Sequence, residues 1–170
     1  MIPARGCYHT APMISSDQFR QIMANFATGI TVVTTRDRDN TPYGLTVNSF
    51  TSVSLNPVLV LVCLDLRLSG LQLFKDSKHF GVNVLSEHQE DISRMFAKKD
   101  ADRPESIYFE GSLGMPLIKN CLAVMECKTV QIYEGGDHLI FLGEVDNAET
   151  IQPDHPLLYF RGKYRKLHEV

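Results

Sequence analysis

Leu45-Thr46-Val47-Asn48-Ser49-Phe50-Thr51-Ser52-Val53-Ser54-Leu55-Asn56-Pro57 runs directly into Val58-Leu59-Val60-Leu61-Val62-Cys63-Leu64. The first half places hydroxyls and a carboxamide at close intervals, and the second half is the best buried-strand candidate in the chain. Small polar side chains and backbone N–H groups beside a rigid strand suit a phosphorylated or hydroxyl-rich ligand where no arginine cluster binds it. They equally suit a Ser/Thr-rich edge strand and turn, because hydroxyls satisfy backbone groups in both settings. Periodicity leaves the two readings open. Val58–Leu64 lacks polar alternation, which predicts that both its faces are covered, one by a barrel or sheet interior and the other by a helix or another subunit. Two-sided burial of this kind suits an oligomer.

Upstream, Ser16 stands where an N-cap belongs, and Phe19, Ile22, Met23 and Phe26 follow at spacings that share one helical face, with Gly29 placed to end the helix. Ile30–Thr35 is β-branched throughout and reads as a strand, turning through the polar residues 36–42 into the central stretch. Downstream, Ser69 is placed to cap a short helix that buries Leu71 and Phe74, and a helix start there would favour an anion. His79–Leu85 alternates, with Phe80, Val82 and Val84 on one face and Gly81 and Asn83 on the other. Gly81 there either lets a flat ligand reach the backbone or answers a packing constraint. Ser86-Glu87-His88-Gln89 has the capping-box form ahead of the apolar stripe Ile92, Met95 and Phe96.

Residues 98–112 are charged and read as a mobile loop. Two strand candidates, 122–133 and 139–148, meet across Glu134-Gly135-Gly136-Asp137-His138, and a last pair flanks Arg161-Gly162-Lys163. About six strands with inserted helices, and no regular strand–helix alternation, favour a mostly β antiparallel barrel over a Rossmann sheet.

Composition sets the class. The chain has 170 residues, enough for a core that needs no disulfide or metal, with a 44% hydrophobic and a 22% charged fraction. A single domain over 15–170, preceded by an irregular arm over 1–14, is the expected organisation. A net charge of −3 and the lack of a basic stripe argue against nucleic acid as a partner, and no apolar run is long enough to cross a bilayer. No secretory signal is readable, so a cytoplasmic location is expected. Cys7, Cys63, Cys121 and Cys127 lack the paired short spacing of zinc or redox centres and read mostly as buried thiols.

Standard signatures are absent: no Gly-x-Gly-x-x-Gly after a strand, no phosphate-loop lysine motif, no helical histidine pair and no Gly-x-Ser-x-Gly turn. His138 is the histidine with a suggestive setting, on an exposed turn beside the carboxylate of Asp137.

Five blocks in order carry a resemblance. They are Phe26-Ala27-Thr28-Gly29 with the strand that follows, Tyr43–Ser54, Phe80–Leu85, Gly136-Asp137-His138 and Pro156–Tyr164. Together, spanning nearly everything from Asp17 to Leu167, they resemble the flavin reductase-like family. That resemblance implies an antiparallel FMN-binding split β-barrel, a homodimer, that binds FMN or FAD near the subunit interface. Such proteins are commonly the small reductase components of two-component monooxygenases: NADH or NADPH reduces the flavin, which passes to a separate oxygenase.

By position, Thr46, Val47, Asn48 and Ser49 would lie along the isoalloxazine and ribityl chain. Ser52, with Asp65, Arg67 and Ser69, would approach the ribityl phosphate, Gly81 would lie against the flavin, and His138 would position the nicotinamide. The hydroxyls and backbone N–H groups of Thr46–Ser52 would steady charge at the pyrimidine end of the ring. No metal is implied. Leu66–Gly70 carries fewer basic and hydroxyl residues than many relatives, and Asp102-Arg103-Pro104 stands where many have Asp-Arg-Phe. A tightly flavinated reductase of another acceptor, and a non-enzymatic flavin-binding protein, are the alternatives the same fold allows.

Overall fold

A computed structural model describes residues 14–99 and 101–167. The β-branched run forms β2 (Thr31–Arg36), preceded by the short β1 (Thr28–Gly29). The Asp37 carboxylate accepts from the N–H groups of Asp39 and Thr41 and so builds the hairpin to β3 (Pro42–Val47). After Asn48 and Ser49 come β4 (Phe50–Leu55) and, past the Asn56-Pro57 turn, β5 (Val58–Asp65). β6 (His79–Val84), β7 (Tyr108–Glu110), β8 (Pro116–Ile118), β9 (Ala123–Gly135), β10 (His138–Thr150), β11 (Leu158–Phe160) and β12 (Lys163–Arg165) complete the strands. The helices are α1 (Ser16–Met23), α2 (Leu71–Asp76) and α3 (Glu90–Ala97). The long 122–133 and 139–148 strands are found as expected, joined by the two-residue turn Gly136-Asp137, where Gly136 has φ 73°.

Seven strands make one antiparallel sheet in the order β3-β2-β6-β9-β10-β5-β4. Its two outer strands are consecutive in sequence and separated only by Asn48 and Ser49, so the sheet curls until its edges meet at that corner. Alternation then divides the apolar residues between two cores. Val33, Val47, Val60, Val62, Leu64, Phe80, Val82 and Phe141 fill the inside of the curl, with Phe74 of α2 at one end. Val32, Leu85, Phe96, Leu117, Ile118, Val124 and Leu157 form the second core on the outer face, under α3, β8 and the C-terminal hairpin. Phe80 and Phe141, both 1% exposed, each contribute roughly 2–3 kcal/mol by burial.

Asn83 ties the layers together. Its amide donates to Val32 O (2.9 Å) and Thr34 Oγ1 (3.3 Å), and its carbonyl accepts from Ile118 N (2.7 Å), all within the buried interior.

Several expectations change. The strand buried on both faces is β2, whose Thr31–Thr35 are all buried, because α3 and β8 cover its outer side. Within this chain β5 alternates: Val60, Val62 and Leu64 point inward, while Leu59, Leu61 and Cys63 are half-buried, since no described helix lies over them, and of the two expected covers only another subunit is left. The cap of α1 is Ser15, in a reciprocal box with Gln18, and Gly29 is a strand residue beyond the helix end. Phe19, Ile22, Met23 and Phe26 do share a face, but that face is exposed. Ser69 caps nothing; Gly70 holds the N-cap position of α2 without a side-chain bond, while Leu71 and Phe74 are buried as expected.

Only half of the 86–89 box forms. Gln89 Oε1 accepts from Ser86 N, but Ser86 is held in a bridge to Pro156, so α3 starts at Glu90. Residues 98–112 contain a 3-10 turn (Glu105–Ile107) and β7 rather than an open loop. Cys121 and Cys127 are buried thiols, while Cys63 is half-buried. The arm expected over 1–14, and with it Cys7, lies outside the described residues apart from Ile14. No described helix is long and apolar enough to cross a membrane.

Candidate active site

The corner that closes the sheet also forms a pocket. Thr46, Val47 and Asn48 face Ser93 and Ala97 of α3, with Ile30, Tyr159 and Tyr164 completing a hollow of about 200 Å³. The wall is stiff: Tyr159 and Tyr164 meet edge to face at 5.6 Å, and Tyr164 Oη and Ser93 Oγ share a 2.9 Å hydrogen bond. Arg94 lies over the Tyr164 ring at 4.7 Å and is itself bonded to Glu90. No charged side chain lines this hollow among the described residues.

The hydroxyls that mark the sequence motif are committed inside the protein. Thr46 Oγ1 donates to Ser93 O (2.7 Å), anchoring α3 to β3, and Ser49 Oγ donates to Cys63 O (2.7 Å), closing the corner between β4 and β5. Their protons are therefore not free for a ligand, and only their remaining lone pairs are. Asn48 is exposed at the rim and makes no side-chain hydrogen bond among the described residues.

A second pocket, of about 190 Å³, adjoins the first at Ala97. Tyr43, Gly44, Leu45, Leu68, Ser69 and Phe96 form its floor, and Arg67, Lys98, Lys99 and Arg103 surround it. Arg67 is fixed by Asp65, whose carboxylate accepts its Nε (3.0 Å), Nη2 (2.6 Å) and backbone N–H (2.8 Å). Those bonds hold the Asp65 carboxyl well below the usual carboxylate range and raise Arg67. Strand register places His138 opposite Asp65, and Leu66 N donates to Asp137 O, so the β9–β10 turn and the end of β5 form one cluster. His138 Nδ1 lies 2.7 Å from Asp137 Oδ1, a contact that lowers the Asp137 carboxyl. An ionised Asp137 can only accept, which makes Nδ1 the donor and leaves Nε2 without a hydrogen bond among the described residues.

Of the expected site residues, the fold brings together Thr46, Val47 and Asn48 in one pocket and Arg67 and Ser69 in the next, with Asp65 bonded to Arg67 and His138 opposite Asp65 in strand register. Three stand apart. Ser49 serves the corner backbone. Ser52 is exposed on β4, away from both pockets, because that edge strand faces outward there. Gly81 is buried: a Cβ there would lie 2.5 Å from Thr34 Oγ1 and 2.9 Å from Leu117 Cδ2, so the packing reading of this glycine holds and no ligand face is open to it.

Residues not singled out in the sequence include Ile30, Ser93, Tyr159, Tyr164, Tyr43, Lys98 and Lys99. Ser93 had a signal, as a small polar residue inside the apolar stripe of α3. The two lysines had one in lying, with Arg103, just past that helix.

An uncharged pocket beside a cation-lined one, on one curled antiparallel sheet, defines the class: an antiparallel β protein with a two-part cleft at the corner where its sheet closes. Within that class, the chain belongs to the flavin reductase like domain family, which matches residues 23–168. It is 40% identical over 148 residues to the reductase component of the flavin-dependent trigonelline monooxygenase of Acinetobacter baylyi, covering 86% of this chain and 47% of that protein. The chain thus spans about half the length of that relative. It is 38% identical over 149 residues to the reductase subunit HsaB of a flavin-dependent monooxygenase of Mycobacterium tuberculosis, covering 86% of this chain and 79% of that one. Its structure is similar to that of the Streptomyces globisporus NADH:FAD oxidoreductase in complex with NAD and FAD fragments. There the TM-score is 0.85 and the identity 37%, with coverage of 93% of this chain and 98% of that one.

Proposed function

We propose that this chain is an NAD(P)H:flavin oxidoreductase that passes hydride from NADH or NADPH to FMN or FAD and supplies reduced flavin to a separate monooxygenase. The observation that carries the reading is the pair of adjoining pockets, one neutral and one ringed by cations, with His138 opposite Asp65, the residue that binds the Arg67 of that ring. The residues fit a flavin: the neutral pocket suits a ring, and the cations Arg67, Lys98, Lys99 and Arg103 around the adjoining one suit an anion beside it.

When bound, the flavin accepts a hydride from the nicotinamide, chemistry that asks the protein for ring alignment rather than a general base. Thr46, Val47 and Asn48 would hold the ring from the β3 side, with Tyr159 and Tyr164 limiting its tilt. Ser69 and Arg67 would face the ribityl phosphate, with Asp65 fixing Arg67 in place. His138, oriented by Asp137, would offer Nε2 to the nicotinamide carboxamide. It acts as a positioning group and not as a proton donor.

The assembly we infer is a homodimer of split barrels. The curled sheet whose edges meet at Asn48–Ser49 supports the barrel. The exposed α1 face (Phe19 55%, Ile22 58%, Phe26 68%) and the uncovered outer side of β5 support the second copy, since apolar area of that extent is rarely left in water.

Steady-state oxidation of NADH and of NADPH without flavin, with FMN and with FAD tests the function. Turnover that rises and saturates with added flavin is expected. Oxidation at background level with either flavin overturns the reading.

A further inference from the structure

The turn ahead of α3 meets the segment ahead of β11 outside both pockets of the candidate active site. Glu87 and His88 occupy consecutive turn positions, closed by Gln89 N donating to Ser86 O (3.0 Å). In a strand their side chains would point to opposite faces, whereas in this turn both reach one point. Asp154 stands between Pro153 and Pro156, whose rings restrict the backbone there. Three backbone contacts hold the two segments together: Glu87 N donates to His155 O (2.8 Å), Leu157 N donates to Leu85 O (3.1 Å), and Ser86 bridges to Pro156.

His88 Nε2 lies 3.6 Å from Glu87 Oε1 and 3.7 Å from Asp154 Oδ2, and one donor atom from each residue falls within 4.8 Å of the other two. These separations are longer than a hydrogen bond. Ligand atoms on one zinc ion at the tetrahedral angle stand roughly 3.3–3.5 Å apart, so an ion would draw these three in by a few tenths of an ångström. The other carboxylate oxygens are already engaged: Asp154 Oδ1 accepts from His155 N (2.8 Å), and Glu87 Oε2 faces Lys166 Nζ (3.6 Å). Both carboxylate side chains are sheltered, at 15% and 20% exposure, while His88 at 67% is free to close onto an ion.

A second observation points the same way. His88 also lines a hollow of about 350 Å³, together with Ser86, Asp91, Asn120 and Gln152. Ser86 is 1% exposed, and its Oγ has no partner among the described residues. A polar hollow of that size has room for the waters that complete a metal ion's shell, with the Ser86 hydroxyl as a partner for them.

We propose that Glu87, His88 and Asp154 form a site for a divalent transition-metal ion of the zinc class, with the imidazole and one oxygen of each carboxylate as ligands. The nitrogen donor favours Zn²⁺ over Mg²⁺ and Ca²⁺, which take oxygen ligands. The ion pins the turn that starts α3 to the segment that leads into β11. α3 carries Ser93 and Ala97, and the C-terminal hairpin carries Tyr159 and Tyr164, so the clasp joins two of the elements that wall the neutral pocket. The site does not depend on what that pocket binds.

The test is calorimetric titration of the full chain, stripped of metal by a chelator, with Zn²⁺ and separately with Mg²⁺, in wild type, H88Q and D154N. His88 is exposed, and asparagine at 154 keeps the Oδ1 that accepts from His155 N, so metal-free melting of both variants should match wild type. We expect one Zn²⁺ per wild-type chain, about tenfold or more weaker in each variant, and Mg²⁺ bound at least tenfold more weakly than Zn²⁺. Zn²⁺ should also slow hydrogen exchange at Glu87 N and Leu157 N in wild type and not in the variants.

Absence of Zn²⁺ binding overturns the site and leaves the three residues as an ion-pair clasp. Zn²⁺ affinity unchanged in either variant overturns it too and gives the ion to other side chains. Binding without slower exchange at the two amides overturns the clasp.

Discussion

Replacing Gly81 by alanine separates packing from ligand contact at one atom. The added methyl would sit 2.5 Å from Thr34 Oγ1 and 2.9 Å from Leu117 Cδ2, both well inside contact distance. Neither neighbour has room to retreat: Thr34 is 0% and Leu117 1% exposed. Thr34 Oγ1 also accepts from the Asn83 amide, which in turn binds Val32 O and Ile118 N, so displacing the threonine strains the tie between the two cores. Overpacking by one methyl in such a place costs about 1–3 kcal/mol. For a chain of this size that corresponds to a fall in melting temperature of roughly 2–12 °C. Urea unfolding at fixed protein concentration should show the midpoint lowered with the slope unchanged. At low temperature, where the variant is folded, its flavin affinity should stay within about twofold of wild type. A variant with wild-type stability and lost flavin binding would refute the reasoning, because it would mean that Gly81 faces the ligand.

His138→Ala should lower kcat/KM for the nicotinamide nucleotide by about tenfold or more, as loss of a positioning contact does, while flavin affinity measured by fluorescence stays unchanged; weakened flavin binding would instead place the imidazole on the flavin. Ile22→Glu puts a carboxylate into the exposed apolar face of α1 and should shift the protein from dimer to monomer mass in sedimentation, whereas an unchanged mass would move the subunit contact elsewhere. Burial pushes the thiols of Cys121 and Cys127 up to about 12, so both stay neutral through pH 8. A maleimide followed by peptide mapping should therefore label these two only after denaturation, and labelling in the native state would contradict their burial.

The sequence was legible where a pattern reports on its own neighbours. β-branching in Ile30–Thr35, alternation in His79–Leu85 and glycine at the 134–138 turn each led to the element found, because strand faces and tight turns are local properties. Helix starts were displaced by one to three residues where tertiary contacts decided: Ser86 is held by Pro156, so the serine in the cap position became a bridge. The two-sided burial of β2 rather than β5 depends on where α3 and β8 pack, information spread over more than 80 residues of chain. Site residues followed the same division. Asp65 and His138 lie more than 70 positions apart and meet through β5–β10 register, a pairing that neither motif displays. Tyr159 and Tyr164 enter the pocket because a C-terminal hairpin folds back on β1.

The committed hydroxyls of Thr46 and Ser49 bear on what the site can do with a flavin. A motif rich in hydroxyls invites the reading that it donates to the ring, yet its two best-placed members donate to Ser93 O and Cys63 O. Around the ring pocket the remaining polar groups are Asn48, the Tyr159 hydroxyl, backbone amides and the Ser93–Tyr164 pair, and no cation lines it among the described residues. On the proposed reading, a reduced ring gaining negative charge would find little there that an oxidised ring did not already have. Binding at the ring end would therefore discriminate weakly between the two oxidation states, since a shift in preference requires differential contacts. The charged contacts sit at the phosphate end instead, around Arg67, Lys98, Lys99 and Arg103, and phosphate charge does not change on reduction. Such a division of contacts would hold both forms with similar strength, which is what a protein that must load oxidised flavin and release reduced flavin requires.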